Sequence, residues 1–329
     1  MGGNVCKCLK SQDSSNLLLK ESVQNSSINS ISPFEGYKRY YTENLRRIVK
    51  IQSYFKGILS RRKISLIQNQ SSLHSSTVKQ NWSSTSESQV YSNKTVSEVE
   101  VKLGLFDYSK YHFIQDGPII KKPCMKSEYE VIYKGEWNLL NKREGKGIQI
   151  WKDGSKYEGY WKNDMANGYG RMIHSDGDSY EGEWLNDLHN GYGIYYNADG
   201  SSFQGYWRKD KQHGKGKEIC TDGSTYEGDY KLGMKWGKGL FKWNDGSQYE
   251  GDLIENDIDG FGKYLWTDGR QYIGNWKKNK MNGHGIFQWP DGRKYIGEYL
   301  NDKKHGKGEF FWPDGTIFKG EWVNGEIVE

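Results

Sequence analysis

The first residues with usable chemistry are Met1-Gly2-Gly3-Asn4-Val5-Cys6-Lys7-Cys8. Removal of Met1 exposes Gly2, whose α-amine is the acceptor for an N-terminal myristoyl chain. The sixth position, usually Ser or Thr in that signal, holds Cys6. A single myristoyl chain holds a membrane only marginally, so a stable anchor needs a second signal. Cys6 and Cys8 are placed to carry palmitate as a thioester, with Lys7 and Lys10 beside them for anionic headgroups. Residues 1–36 therefore read as an acylated tether to the cytosolic leaflet of a membrane. A zinc reading of Cys6-x-Cys8 lacks a second Cys or His pair nearby. The second stretch with chemistry is residues 37–68. Leu45, Ile48, Ile51, Phe55, Ile58 and Leu59 recur at three- and four-residue spacing, which predicts an amphipathic helix. Arg46, Arg47, Lys50, Lys56, Arg61, Arg62 and Lys63 stand between them. A basic amphipathic helix suits either a membrane surface or a calmodulin-type partner.

Inside that helix, Ile51-Gln52-Ser53-Tyr54-Phe55-Lys56-Gly57-Ile58-Leu59-Ser60-Arg61 resembles the IQ motif, with all five defining positions filled. The resemblance implies calmodulin or a centrin-like EF-hand protein as partner. Ile51, Phe55 and the Ile58/Leu59 pair would enter its apolar groove. Gln52 would hydrogen-bond its backbone, Lys56 and Arg61 would meet its acidic rim, and Gly57 would permit close approach. Docking on the rest of the chain and contact with the bilayer stay open as alternatives. Alternation between partner and bilayer would make the helix a calcium-controlled electrostatic switch. The first eight residues likewise resemble dually acylated proteins. Plasma membrane or cilium membrane is the location this implies, with cell cortex or cytoskeleton as the alternative.

The elements that must position these pieces follow. Residues 69–104 hold ten serines between Ser71 and Ser97, few aliphatics and no period, and read as a disordered linker. In residues 105–132, Leu105, Phe106, Tyr108, Tyr111, Phe113 and Ile114 form an apolar cluster, and Pro118 and Pro123 break any helix. This predicts an irregular cap on the first repeat, whose exposed end needs cover. From Tyr133 onward the chain repeats. Tyr-x-Gly returns at Tyr157, Tyr180, Phe203, Tyr226, Tyr249, Tyr272, Tyr295 and Phe318, each 23 residues after the last once Tyr157 is passed. A fixed period of this size marks a repeat architecture. Tyr157, Gly159 and Trp161 alternate with Glu158 and Tyr160, as on a strand. Gly168-Tyr169-Gly170 opens a second strand, and Asp176-Gly177 turns into the next unit. Each unit is thus a β-hairpin of about six residues per strand, with rings of one strand laid over glycines of the next.

Tyr-x-Gly-x-(Trp/Tyr), a polar turn, Gly-x-Gly and then Asp-Gly resemble the MORN repeat, in eight full units and one half unit over residues 133–329. The resemblance implies an elongated single-layer antiparallel β-meander, preceded here by one amphipathic helix and disordered linkers. Seventeen strands about 4.8 Å apart would give a rod of roughly 80 Å. It also implies a scaffold: a non-enzymatic adaptor whose rod takes protein or lipid, as either a single chain or a homodimer through repeat edges. Two alternatives follow from relatives of the repeat. One is a structural component of cilium, axoneme or cell cortex. The other is a regulatory relative of phosphatidylinositol-phosphate kinases without the catalytic domain.

Composition narrows the classes. Only 34% of residues are hydrophobic while 15% are aromatic, and 41 are glycine, so rings packed on glycines replace an aliphatic core. Four cysteines without paired spacing argue against a disulfide framework. No stretch approaches the roughly 20 apolar residues of a membrane span. Residues 133–329 carry 28 Lys and Arg against 31 Asp and Glu, and residues 1–132 carry 19 against 11. The repeats are therefore too acidic for nucleic acid, which needs clustered cations. No catalytic set, phosphate loop or cofactor motif stands out, and His174, His189, His213, His284 and His305 have no ligand spacing. Departures from the repeat mark a partner patch: Trp236 precedes Gly-x-Gly in the fifth unit, and Leu253, Ile254 and Ile258 enter the sixth.

Overall fold

The computed structural model describes residues 82–86, 91–115 and 117–328. They contain 21 strands in one antiparallel sheet, as a meander from the strand Ile132–Asn138 onward. Each unit contributes a shorter and a longer strand, as in Lys156–Lys162 and Met165–Ile173. Two residues join them. Asn163 and Asp164 have φ of 50° and 71°, the pair of positive angles that a two-residue hairpin turn matched to strand twist requires. Asn and Asp tolerate that region because their short side chains bond locally. The longer strand carries a β-bulge, since the register moves from Gly159↔Gly170 to Trp161↔Ala166. Gly168 lies at that irregularity with φ 77°, so it serves conformation, while Gly170 serves packing. The joint between units is a second turn, with Gly177 at φ 96° and its N–H donating to the His174 carbonyl at 3.0 Å.

One glycine from every strand, from Ile132–Asn138 to Ile317–Val323, lies in register with the next. The file runs Gly135, Gly147, Gly159, Gly170, Gly182, Gly193 and onward to Gly308 and Gly320. Over it lie the tyrosines. A Cβ added at Gly170 would overlap the Tyr157 ring, and one at Gly193 would overlap Tyr180. The Tyr157 hydroxyl donates to the Tyr160 carbonyl at 3.0 Å, and Tyr180, Tyr249 and Tyr272 repeat the bond. Edge-to-face pairs then link neighbouring units. Tyr133 meets Trp161 at 5.5 Å, Tyr157 meets Trp184 at 5.3 Å and Tyr180 meets Trp207 at 5.6 Å. Such geometry matches the positive ring edge to the negative face. The tryptophans also donate backward, as Trp161 Nε1 does to the Gly147 carbonyl at 3.1 Å.

The aromatic core changes character in two places. In the sixth unit Leu253 faces Ile258 across the hairpin, and both are buried. Between the fourth and fifth units an ion pair enters the core. Glu218 accepts from Lys235 Nζ at 2.7 Å and from the Tyr230 hydroxyl at 2.7 Å, while Lys235 lies over the rings of Tyr226, Tyr230 and Phe241.

The segment before the repeats is more ordered than its composition suggests. The strands Ile119–Lys121 and Met125–Ser127 pair with Ile132–Asn138, and Trp82–Ser84 pairs with Met125–Ser127. Trp82 sets its ring against Trp137 at 5.3 Å and closes the first end of the aromatic chain. The linker expected over residues 69–104 is corrected in its second half, where Lys94–Leu103 is a helix. Asn93 caps it by accepting from the Val96 N–H, and its own amide donates to the Asp153 carbonyl at 3.1 Å. Val96 is buried, and Lys156 pairs with Glu100. Contacts with the repeats hold this helix, and those partners lie more than fifty residues away in the chain. The helix expected over residues 37–68 lies outside the described residues.

Candidate docking face

The side chains that alternate with the core rings form an outer face, and part of it is already occupied. Residues 104–113 cross it as a strap. Phe113 stacks on Tyr160 at 4.6 Å with planes 14° apart, and Phe106 stacks on Tyr169 at 5.9 Å. The Tyr160 hydroxyl donates to the Tyr108 carbonyl at 2.9 Å, and Arg171 donates to the Gly104 carbonyl at 2.6 Å. Lys110 Nζ lies 2.9 Å from Glu181. Burial alone would raise the Glu181 carboxyl, but bonds from Lys110 and Arg171 outweigh it and hold the group below its ordinary value. Burial pushes the Tyr108 and Tyr169 hydroxyls up, with Glu158 and Glu181 adding to it respectively. Of the cap expected on the first repeat, Phe106, Tyr108, Tyr111 and Phe113 pack instead on Tyr160 and Tyr169 of the second unit, while Leu105 and Ile114 stay exposed.

Beyond the strap the face is open. Tyr192 and Tyr206 meet edge to face at 5.3 Å, and Gln204 donates to the Tyr192 hydroxyl at 2.7 Å. Two exposed ion pairs follow, Lys215–Asp229 at 2.8 Å and Lys238–Asp252 at 2.7 Å. Further along, Ile273, Ile286 and Ile296 lie side by side on three consecutive strands. Ile296 also borders an open basin of about 500 Å³, lined with it by His284, Lys307 and Glu309. The sequence reading missed Tyr206 and this isoleucine row. The signal for Tyr206, Ile273 and Ile296 was present at the x positions of Tyr-x-Gly-x, and that for Ile286 at the residue after Gly-x-Gly, all of which alternate away from the core.

The predicted patch does not assemble as expected. Leu253 is 1% exposed and Ile258 3%, so both belong to the core and cannot meet a partner. Leu253 fills the slot of the missing ring, and that is why an aliphatic side chain stands there. Ile254 is exposed, and Trp236 is half-buried under Lys231, whose Nζ lies 4.4 Å from the ring centre. Both stand one residue beyond the Gly237↔Leu253 register pair. Gly2, Cys6, Cys8, Ile51, Gln52, Phe55, Lys56, Gly57 and Arg61 lie outside the described residues. Among the described residues no cluster of three His, Cys, Asp or Glu is arranged to hold a metal ion.

The family model of the MORN repeat matches residues 133–156, 157–179, 180–202, 203–225, 226–248, 249–269, 272–292 and 295–317, more than half of the chain. The chain belongs to the MORN repeat family. The matched boundaries coincide with the hairpins, so one MORN unit is one hairpin with its outgoing turn. No curated protein matches the chain. Among solved structures, the TCP domain of SAS-4 (dCPAP) of Drosophila melanogaster, in complex with a proline-rich motif of Ana2 (dSTIL), aligns at 13% identity and a TM-score of 0.29. That alignment covers 54% of this chain and 90% of that one. A catalytically inactive virginiamycin B lyase of Staphylococcus aureus aligns at 12% identity and a TM-score of 0.15, over 59% of this chain and 75% of that one. At these scores neither likeness bears on function. The MORN array itself is a repeat-based scaffold, and its core tyrosines, tryptophans and glycines are spent on holding one another.

Proposed function

We propose that this chain is a non-enzymatic, membrane-tethered adaptor. Acylation at Gly2, with palmitate on Cys6 or Cys8, holds it to the cytosolic leaflet of the plasma membrane or cilium membrane. The helix of residues 37–68 takes calmodulin or a centrin-like EF-hand protein, and the MORN array takes a protein partner on its outer face. The observation that carries this reading is the division of labour along the chain. The insistent residues of the array are consumed by packing, while the acyl-accepting start and the Ile51–Arg61 stretch carry their motifs in sequence outside the repeat.

Two measurements test it. Gly2→Ala should release the chain from membranes to the soluble fraction; unchanged partition removes the anchor. Immobilised calmodulin, with and without calcium, should retain the wild-type chain and lose an Ile51→Ala, Gln52→Ala double variant. Retention of that variant would assign the helix to the bilayer.

A further inference from the structure

We propose that the outer face of the fourth unit is a second docking station, built like the one the strap fills on the second. Its occupant is an extended segment of a partner protein carrying a Lys-x-x-aromatic sequence. The inference rests on the array being a protein-docking surface and says where and for what.

The strap gives the recognition chemistry. Its Phe113 lies on the Tyr160 ring, its Lys110 pairs with Glu181, and its Gly104 carbonyl accepts from Arg171. Two units on, 46 residues along, the same three positions are Tyr206, Glu227 and Lys217. They are again an aromatic, an acid and a base. In the third unit these positions are Glu183, Gln204 and Ile194, and in the fifth Asp229, Glu250 and Leu240, so neither neighbour repeats the set. Strand pairing keeps the geometry, because Lys217 faces Glu227 across the ladder as Arg171 faces Glu181.

Among the described residues none covers the second set. Tyr206 is 53% exposed, and Lys217 and Glu227 are exposed beside it. Tyr192 packs edge-on against Tyr206, in the place Lys146 takes beside Tyr160, and so fixes the ring that a partner would meet. The match is partial in a way that narrows the ligand. Lys215 replaces Tyr169 and is tied to Asp229, so the pocket for Phe106 is not repeated. The station therefore reads the Lys110-to-Phe113 half of the strap: a lysine for Glu227, a ring for Tyr206 and a backbone carbonyl for Lys217.

The probe is a fluorescein-labelled peptide of residues 104–114, titrated with the full chain and followed by anisotropy. One saturable site is expected. Tyr206→Ala and Glu227→Lys should each weaken it about tenfold, the scale of one aromatic or charge-assisted contact. Both positions are exposed, so circular dichroism should stay unchanged and melting should fall by no more than the lost Tyr192–Tyr206 contact accounts for. A peptide with Lys110→Glu should bind the Glu227→Lys chain better than the wild-type chain. Absence of saturable binding, or binding indifferent to both variants, overturns the station. Loss on Glu181→Lys alone would overturn it too, by showing exchange with the strap's own site. Self-association of the chain that disappears with Tyr206→Ala would make the occupant a second copy, against the proposal. Partners that co-purify equally with wild-type and Tyr206→Ala chains would sink the station while leaving the scaffold reading intact.

Discussion

Glu218 and Lys235 show what one residue pair costs inside an aromatic stack. Both are essentially fully buried, at 0% and 2% exposure, and each is held by the other. Removing one partner leaves a buried charge unpaired, so Lys235→Met or Glu218→Tyr alone should lower stability by about 3 kcal/mol. The double variant copies Tyr264 and Met281, the residues at the same places between the sixth and seventh units. It should recover most of the loss, and urea denaturation of the three variants measures the difference. The glycine file makes an opposite demand, for nothing at all. Gly170→Ala puts a methyl where the Tyr157 ring lies, an overpacking that should cost about 1–3 kcal/mol in the same assay.

At the level of the hairpin, His189 couples one unit to pH. Its ring stacks on Tyr180 at 3.8 Å and lies among Trp184 and Trp207. Burial holds its imidazole well below the ordinary value of 6.5. The unfolded chain therefore takes a proton near pH 6.5 that the folded chain refuses. Stability from this unit is full above 6.5 and is lost as pH falls below it, by up to about 1.4 kcal/mol per pH unit. His189→Gln, which copies Gln212 one unit on, should flatten the melting temperature between pH 7.5 and 5.5. The hairpins themselves were legible in the sequence. Twenty-three-residue spacing fixed their number, and the Asp-Gly steps fixed their joints. The bulge was not, because nothing in Gly168-Tyr169-Gly170 says which glycine bends and which is bare. Nor was the fate of Leu253: it visibly replaces the aromatic of its unit, yet apolar residues in an otherwise polar hairpin read as exposed until Ile258 is seen to face it in the core. The helix Lys94–Leu103 escaped because it is held by Asp153, Lys156 and Ser175 and has little period of its own.

For the whole molecule, the covering of the first repeat sets where the chain can be cut. Trp82 and the strands Ile119–Lys121 and Met125–Ser127 protect an edge whose rings and backbone would otherwise be bare. A chain starting at residue 82 should melt as the full chain does. One starting at residue 128 should melt lower and associate, as scattering would show. Stacked repeats touch only their neighbours, so stability accrues unit by unit. The glycine file extends that additivity to length. Every hairpin enters and leaves on the same row, so excising residues 226–248 would let Gly216 meet Gly251 with no residue out of step. Such a splice would shorten the array by about 9.6 Å, two strand spacings. The repeat is thereby a ruler graduated in hairpins, and the span between the strap and whatever docks beyond it can be reset by whole divisions without redesigning either end.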